Sequence, residues 1–247
     1  MSADDEVASQ KAFYDSRSHA HLHAREGDAY AGKLAGELAQ RAGIGPEHRV
    51  LEVGAGFGRF TFPLLERCAS VIALDLSERV LGDLRRERDA RGISEERCPT
   101  LCADLSGGLR DHDLGSVDFV VGFFILHHLP DVAAALAALK PVLGQRGRMA
   151  FLEPNRRNPL YLAQVLCCRD MNWREEKGMF RLSARSIERD YRAAGLAPMP
   201  PERFGLFPPQ VFNRFAAARS LERSLERARW LEPVLPFLVL RAHLVDA

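Results

Sequence analysis

Val50-Leu51-Glu52-Val53-Gly54-Ala55-Gly56-Phe57-Gly58-Arg59 reads as a strand that breaks into a glycine-rich turn. Val50, Leu51 and Val53 are strand-type apolar residues, and Gly54, Gly56 and Gly58 follow at two-residue spacing. Glycine permits positive φ and lets backbone N–H groups approach a ligand with no Cβ in the way, as where an α/β sheet holds a nucleotide-like group. A dinucleotide fingerprint would need glycine at position 59, which here is Arg59. Glu52 stands two positions before the first glycine. A carboxylate there repels a pyrophosphate and suits a ligand carrying ammonium and sulfonium groups.

At Glu52, Gly54, Gly56 and Gly58 the chain resembles the class I S-adenosylmethionine-dependent methyltransferases, whose first motif has the form E-x-G-x-G-x-G. The alternative is a glycine-rich strand–helix turn that holds nothing. Val71-Ile72-Ala73-Leu74 then ends in Asp75, at the spacing for a carboxylate that bonds ribose hydroxyls, and Ser77 stands ready to cap the next helix. Leu101-Cys102-Ala103-Asp104-Leu105 reads as a third strand ending in a carboxylate. The resemblance implies that Asp104 meets the adenine amino group and that Leu105 packs on the ring. It extends the cofactor set to Ala55, Leu76 and Phe123.

Val117 to Phe124 forms the fourth strand and runs into His127-His128-Leu129-Pro130-Asp131, similar to the fourth motif of small-molecule methyltransferases. Asp131 is placed to cap an alanine-rich helix through Leu139. After a helix stop at Leu143-Gly144-Gln145, Gly147 to Asn155 reads as the fifth strand. Five strand–helix alternations predict a doubly wound, Rossmann-like sheet of seven mostly parallel strands. The expected organisation is one α/β domain over 1–247: a helical cap at 1–44, a cofactor-binding core at 46–155, and insertions at 156–182 and 208–236 that shape an acceptor pocket or lid.

Tyr30, Leu34 and Leu38 recur at helical spacing within that cap. The resemblance implies that the cap folds over the cofactor, with Tyr14, His21, Arg25 and Tyr30 as contacts; solvated helix-face positions are the alternative. His19, His21 and His23 do not share one helical face, so no metal is expected from them. Ser183 opens a helix closed by Gly195, and Phe237 to Leu244 reads as the last strand. The 208–236 insertion is read as helical from Val211 to Trp230. It admits a lid, a homodimer contact or a membrane-surface helix. Glu222, Glu226 and Glu232 interleave with its arginines, which ranks the lid first and the membrane last.

Composition narrows the function. Lys plus Arg number 34 against 33 Asp plus Glu, so no basic excess points to nucleic acid, and no N/D-P-P-Y/F tetrapeptide follows the fourth strand. The five cysteines form no C-x-x-C, which argues against a metal or disulfide scaffold. The acidic start lacks a signal-peptide apolar region and no stretch approaches ~20 apolar residues, giving a cytoplasmic expectation. The expected activity is methyl transfer, by O-methylation, from S-adenosylmethionine to a small, partly apolar natural-product, isoprenoid or lipid-like acceptor. His128 is the first candidate for a general base and His127 the second. The alternatives are N- or C-methylation, or a cofactor-binding protein with a non-methylating or regulatory role.

Overall fold

In the computed structural model the described residues are 28–105, 108–109, 112–159, 178–228 and 230–245. Tyr14, His21 and Arg25, and most of the 156–182 insertion, lie outside them. The chain order is α1 (Ala29–Ala42), β1 (Arg49–Val53), α2 (Thr61–Leu65), β2 (Ser70–Asp75), α3 (Glu78–Ala90), β3 (Thr100–Cys102), β4 (Val117–Phe123), α4 (Val132–Leu139) and β5 (Leu143–Pro154). A single helical turn at Gly178–Arg181 precedes α5 (Ala184–Ala193), β6 (Leu196–Pro198), β7 (Glu202–Phe204), α6 (Pro209–Arg214), α7 (Ala216–Leu225) and β8 (Phe237–Leu244).

The sheet runs β3-β2-β1-β4-β5-β8-β6, with β7 also paired to β8. Strands β1 to β5 pair in parallel, and β8 is antiparallel to β5, β6 and β7. The sheet therefore has eight described strands where seven are expected. The extra one arises because β6 and β7 are successive parts of one edge, interrupted around Pro198, Pro200 and Pro201, which have no N–H for a ladder. Three further expectations shift. Residues 143–146 belong to β5 rather than to a helix stop, and a register irregularity between Val117 and Phe119 absorbs the difference. The third strand ends at Cys102, leaving Asp104 beyond it. The insertion helix breaks at Phe215, which is extended (φ −119°, ψ 109°), and α7 ends before Trp230.

Side chains alternate between two apolar layers because successive strand residues face opposite ways. Val50, Val71, Ala73 and Val121 pack with α1, α2 and α3 on one face. Leu51, Val53, Ile72, Leu74 and Val120 pack with α4 and α5 on the other. The expected caps form. Ser77 Oγ accepts from Val80 N at 3.2 Å, Asp131 Oδ1 from Ala134 N at 2.9 Å, and Ser183 and Ser186 make a reciprocal capping box. Sheet order reverses between β1 and β4, and the glycine turn leaves β1 at that crevice, where open α/β sheets place ligands.

Candidate functional site

The turn after β1 has three left-handed glycines, and their surroundings divide them by role. Gly54 (φ 71°) and Gly58 (φ 81°) sit against neighbours: an added Cβ would lie 2.7 Å from Ile125 Cδ1 and 2.5 Å from Phe62 Cε2, respectively. Gly56 (φ 57°) has nothing nearer to its Cβ position than a backbone oxygen at 4.0 Å. Two glycines serve close packing and the middle one borders open space. The turn's N–H groups have partners within the protein. Gly54 N and Ala55 N donate to Leu74 O, Gly58 N to Ala55 O, and Gly56 N to Asp75 Oδ2 at 2.9 Å. Asp75 also accepts from Ser77 N at 3.0 Å, so one carboxylate at the tip of β2 binds the glycine turn and the start of α3 together.

Glu52 faces the α1–α2 side of β1 at 1 % exposure, and its Oε2 has no hydrogen-bond partner among the described residues. Burial pushes its carboxyl up to about 8; the Thr61 hydroxyl lowers it and the Asp75 charge raises it further. A buried carboxyl with an orphaned oxygen, next to a glycine whose Cβ position is open, suits a cationic group entering the crevice. The donor set thus fits a ligand with an ammonium near β1 and a sugar near β2.

The remaining expected contacts are spread along the same end of the sheet. Leu76 and Leu105 are half-buried and Asp104 is exposed. Phe123 is buried and stacks on Phe60 of the glycine turn, with centroids 4.5 Å apart and planes 13° from parallel. Phe60 also meets Phe124, which meets Phe237 of β8. Phe124 has φ 56°, the one positive-φ residue other than glycine among those described. Phe124 thus carries backbone strain at the carboxyl end of β4, of the kind that clusters at ligand sites.

The two histidines have different surroundings. His127 Nδ1 lies 2.6 Å from Glu153 Oε2, and Glu153 Oε1 accepts from Ile125 N at 2.9 Å and Leu126 N at 2.7 Å. Glu153, fully buried at the end of β5, therefore fixes both the turn after β4 and the His127 ring. Burial, with His127 alongside, holds the His128 imidazole well below its ordinary value and so neutral. A cleft of about 210 Å³ reaches His127 between Leu126, Pro130, Arg181 and Ser186, smaller than the ~300–1,000 Å³ of ordinary ligand pockets. Among the described residues no group of His, Cys, Asp and Glu could hold a metal.

Sequence reasoning missed Glu153 and Asp28. The first had a readable signal, a carboxylate at the end of the fifth strand. Asp28 joins three distant segments. Its Oδ1 accepts from Ala31 N at 3.1 Å and Asn213 Nδ2 at 3.2 Å, and its Oδ2 accepts from Arg59 Nε at 3.2 Å. Burial raises its carboxyl, but the Ala31 N–H and the Arg59 charge outweigh this and hold it low. Arg59, directly after the turn, is thereby tied to α1 and to the C-terminal insertion. The far end of that insertion is anchored too, because Asn155 Nδ2 donates to Pro233 O and Leu235 O.

Residues 51–149 match the family model described as "Methyltransferase domain". The chain is 31 % identical over 109 residues to aklanonic acid methyltransferase DauC of Streptomyces sp. (strain C5), covering 43 % of this chain and 48 % of that one. It is 31 % identical over 122 residues to the ubiquinone biosynthesis O-methyltransferase of Hahella chejuensis, covering 49 % of each. The chain spans about half the length of these curated relatives. Among solved structures, magnesium protoporphyrin IX methyltransferase of Synechocystis PCC 6803 with bound SAH superimposes with a TM-score of 0.60 at 14 % identity, covering 97 % of this chain and 100 % of that one.

Proposed function

We propose that this chain, whose residues 51–149 match the methyltransferase-domain family model, is an enzyme that binds S-adenosylmethionine and methylates a small, partly apolar acceptor on oxygen. The observation that carries this reading is the buried, orphaned Glu52 oxygen beside the open Gly56 position at the sheet's switch point. The named activities of the aklanonic acid and ubiquinone relatives support a small-molecule acceptor, and the SAH in the cyanobacterial structure supports the cofactor.

When bound, S-adenosylmethionine supplies an electrophilic methyl group. In this reading Glu52 receives the cationic end of the amino acid, and Asp75, already rigid through Gly56 and Ser77, receives the ribose. Asp104, Leu105, Leu76 and Phe123 surround the base and its neighbours, as the family resemblance implies. The protein's main contribution is alignment and exclusion of water, worth up to ~7–11 kcal/mol of barrier. For an acceptor hydroxyl, His127 is the stronger candidate base: a carboxylate on one ring nitrogen fixes its tautomer and orients the ring. His128, neutral through burial, is the second. The 208–236 insertion, tied to Arg59 through Asp28, forms the lid side of the acceptor site.

Titration calorimetry with S-adenosylmethionine tests the cofactor site. Wild type is expected to bind and release a proton near pH 7, because a cation beside Glu52 favours its charged form over one whose carboxyl titrates at about 8. Glu52→Gln should bind roughly ten- to a hundredfold more weakly and release none. Equal affinity and equal proton release in both proteins would remove Glu52 from the site.

A further inference from the structure

The C-terminal insertion is turned in a way that its sequence conceals. Interleaved glutamates suggest a charge-balanced surface helix, yet Glu222 and Glu226 point inward. Glu222 is 1 % exposed; its Oε1 is 2.7 Å from Lys33 Nζ of α1 and accepts from Leu206 N and Phe207 N. Half-buried Glu226 accepts from Gly205 N at 2.7 Å and stands 3.6 Å from the same Lys33 ammonium. Exposed Glu232 faces Arg203 Nη1 at 3.5 Å. Arg214, Arg223 and Arg227 are exposed, and none meets a carboxylate among the described residues. Between and beside them Phe215 is 53 % exposed, Leu221 51 %, Trp230 77 % and Val234 38 %.

We propose that the outer face of residues 214–234 docks on an anionic membrane surface, with Phe215, Leu221, Trp230 and Val234 entering the headgroup region and the three arginines meeting lipid phosphates. Charge complementarity selects this occupant. With Glu222 and Glu226 satisfied inside and Glu232 paired with Arg203, the segment presents outward cations and apolar side chains, the composition of a helix lying in a bilayer interface. Tryptophan and arginine both place an apolar body in the acyl boundary and a polar end in the headgroups. A nucleic acid would match the arginines and rings but would leave Leu221 and Val234 in water. No described helix is long and apolar enough to cross a membrane, so the contact is with the surface. The proposal stands independently of the methyl-transfer reading, although a lipid-dissolved acceptor would be delivered beside the lid.

Flotation of the full chain with vesicles tests it. Binding is expected to phosphatidylcholine vesicles containing about a third phosphatidylglycerol and not to phosphatidylcholine alone, with release as salt rises. The Arg214→Glu, Arg223→Glu, Arg227→Glu triple variant should partition at least about a hundredfold more weakly, since each basic residue near such a surface contributes about fivefold. The single variant Trp230→Ser, at a largely exposed position, should weaken binding without changing the thermal melt. Absence of flotation, or equal flotation of wild type and triple variant, would overturn the proposal. So would self-association in sedimentation that these substitutions abolish without any vesicle binding, since the face would then belong to a second copy. S-adenosylmethionine binding, measured on the same samples, keeps failure of the cofactor reading separate.

Discussion

Gly54 and Gly56 are identical in type and two positions apart, yet substitution at each should report a different force. Gly54→Ala drives a methyl group into Ile125 while holding φ at 71°, so it should destabilise the fold by ~2–4 kcal/mol in a denaturant melt. Gly56→Ala meets no neighbour, so only conformational strain of ~1–2 kcal/mol is expected, with cofactor affinity reduced far more than stability. Identical losses of stability at both positions would contradict the division between packing and cradle. The motif spacing made these residues legible as a glycine-rich turn leaving a strand. Which glycine packs and which faces the opening depends on Ile125 and Phe62, one of them 71 positions from Gly54, and no local pattern encodes that. Glu52 was legible as a carboxylate, whereas its near-complete burial, and hence its raised titration, follows from α2 closing over β1.

The turn after β4 and the end of β5 act as a unit through Glu153. His127→Ala should leave cofactor binding in place and lower turnover by about 10²–10⁴-fold on a hydroxyl acceptor, and Glu153→Gln should reproduce part of that loss. Unchanged turnover of His127→Ala at saturating acceptor would exclude it as the base. Asp75→Ala removes the carboxylate that holds Gly56 and Ser77, so calorimetry should record a severe loss of cofactor affinity. An unaltered dissociation constant would detach Asp75 from the site. Sequence periodicity located most of the helices and strands because caps such as Ser77, Asp131 and Ser183 are local signals. It misplaced the insertion helix because Phe215 continues an apolar helical pattern while its backbone is extended. It ranked His128 ahead of His127, since the Glu153 contact that moves His127 first in the proposed function comes from another strand and has no local signal.

Two buried groups give the whole fold opposing pH dependences. The Glu52 carboxyl is raised from 4.5 to about 8, so the folded state binds a proton more tightly than the unfolded chain. That contribution is fully present below 4.5 and is lost as pH rises to about 8, a change on the order of 5 kcal/mol. His128, held neutral, costs stability as pH falls below 6.5, where the unfolded imidazole gains a proton and the buried one does not. The ligand-free protein should therefore melt at a lower temperature at about pH 8.5 than at about pH 6.5, and Glu52→Gln should flatten that slope. An unchanged slope in the variant would assign the alkaline loss elsewhere. Sheet class and the crevice at β1 and β4 were readable from apolar runs alternating with helical segments and from Asp75 at the tip of β2. The inward turn of Glu222 and Glu226 was not, because it depends on Lys33, more than 180 residues earlier in the chain. The most direct test of methyl transfer is to incubate wild type and Gly56→Arg with methyl-labelled S-adenosylmethionine and host extract fractionated into lipid-soluble, small water-soluble, protein and nucleic-acid pools. Label should enter one small-molecule pool with wild type and none with the variant; label in protein or nucleic acid, or none despite tight cofactor binding, would contradict a small-molecule methyltransferase.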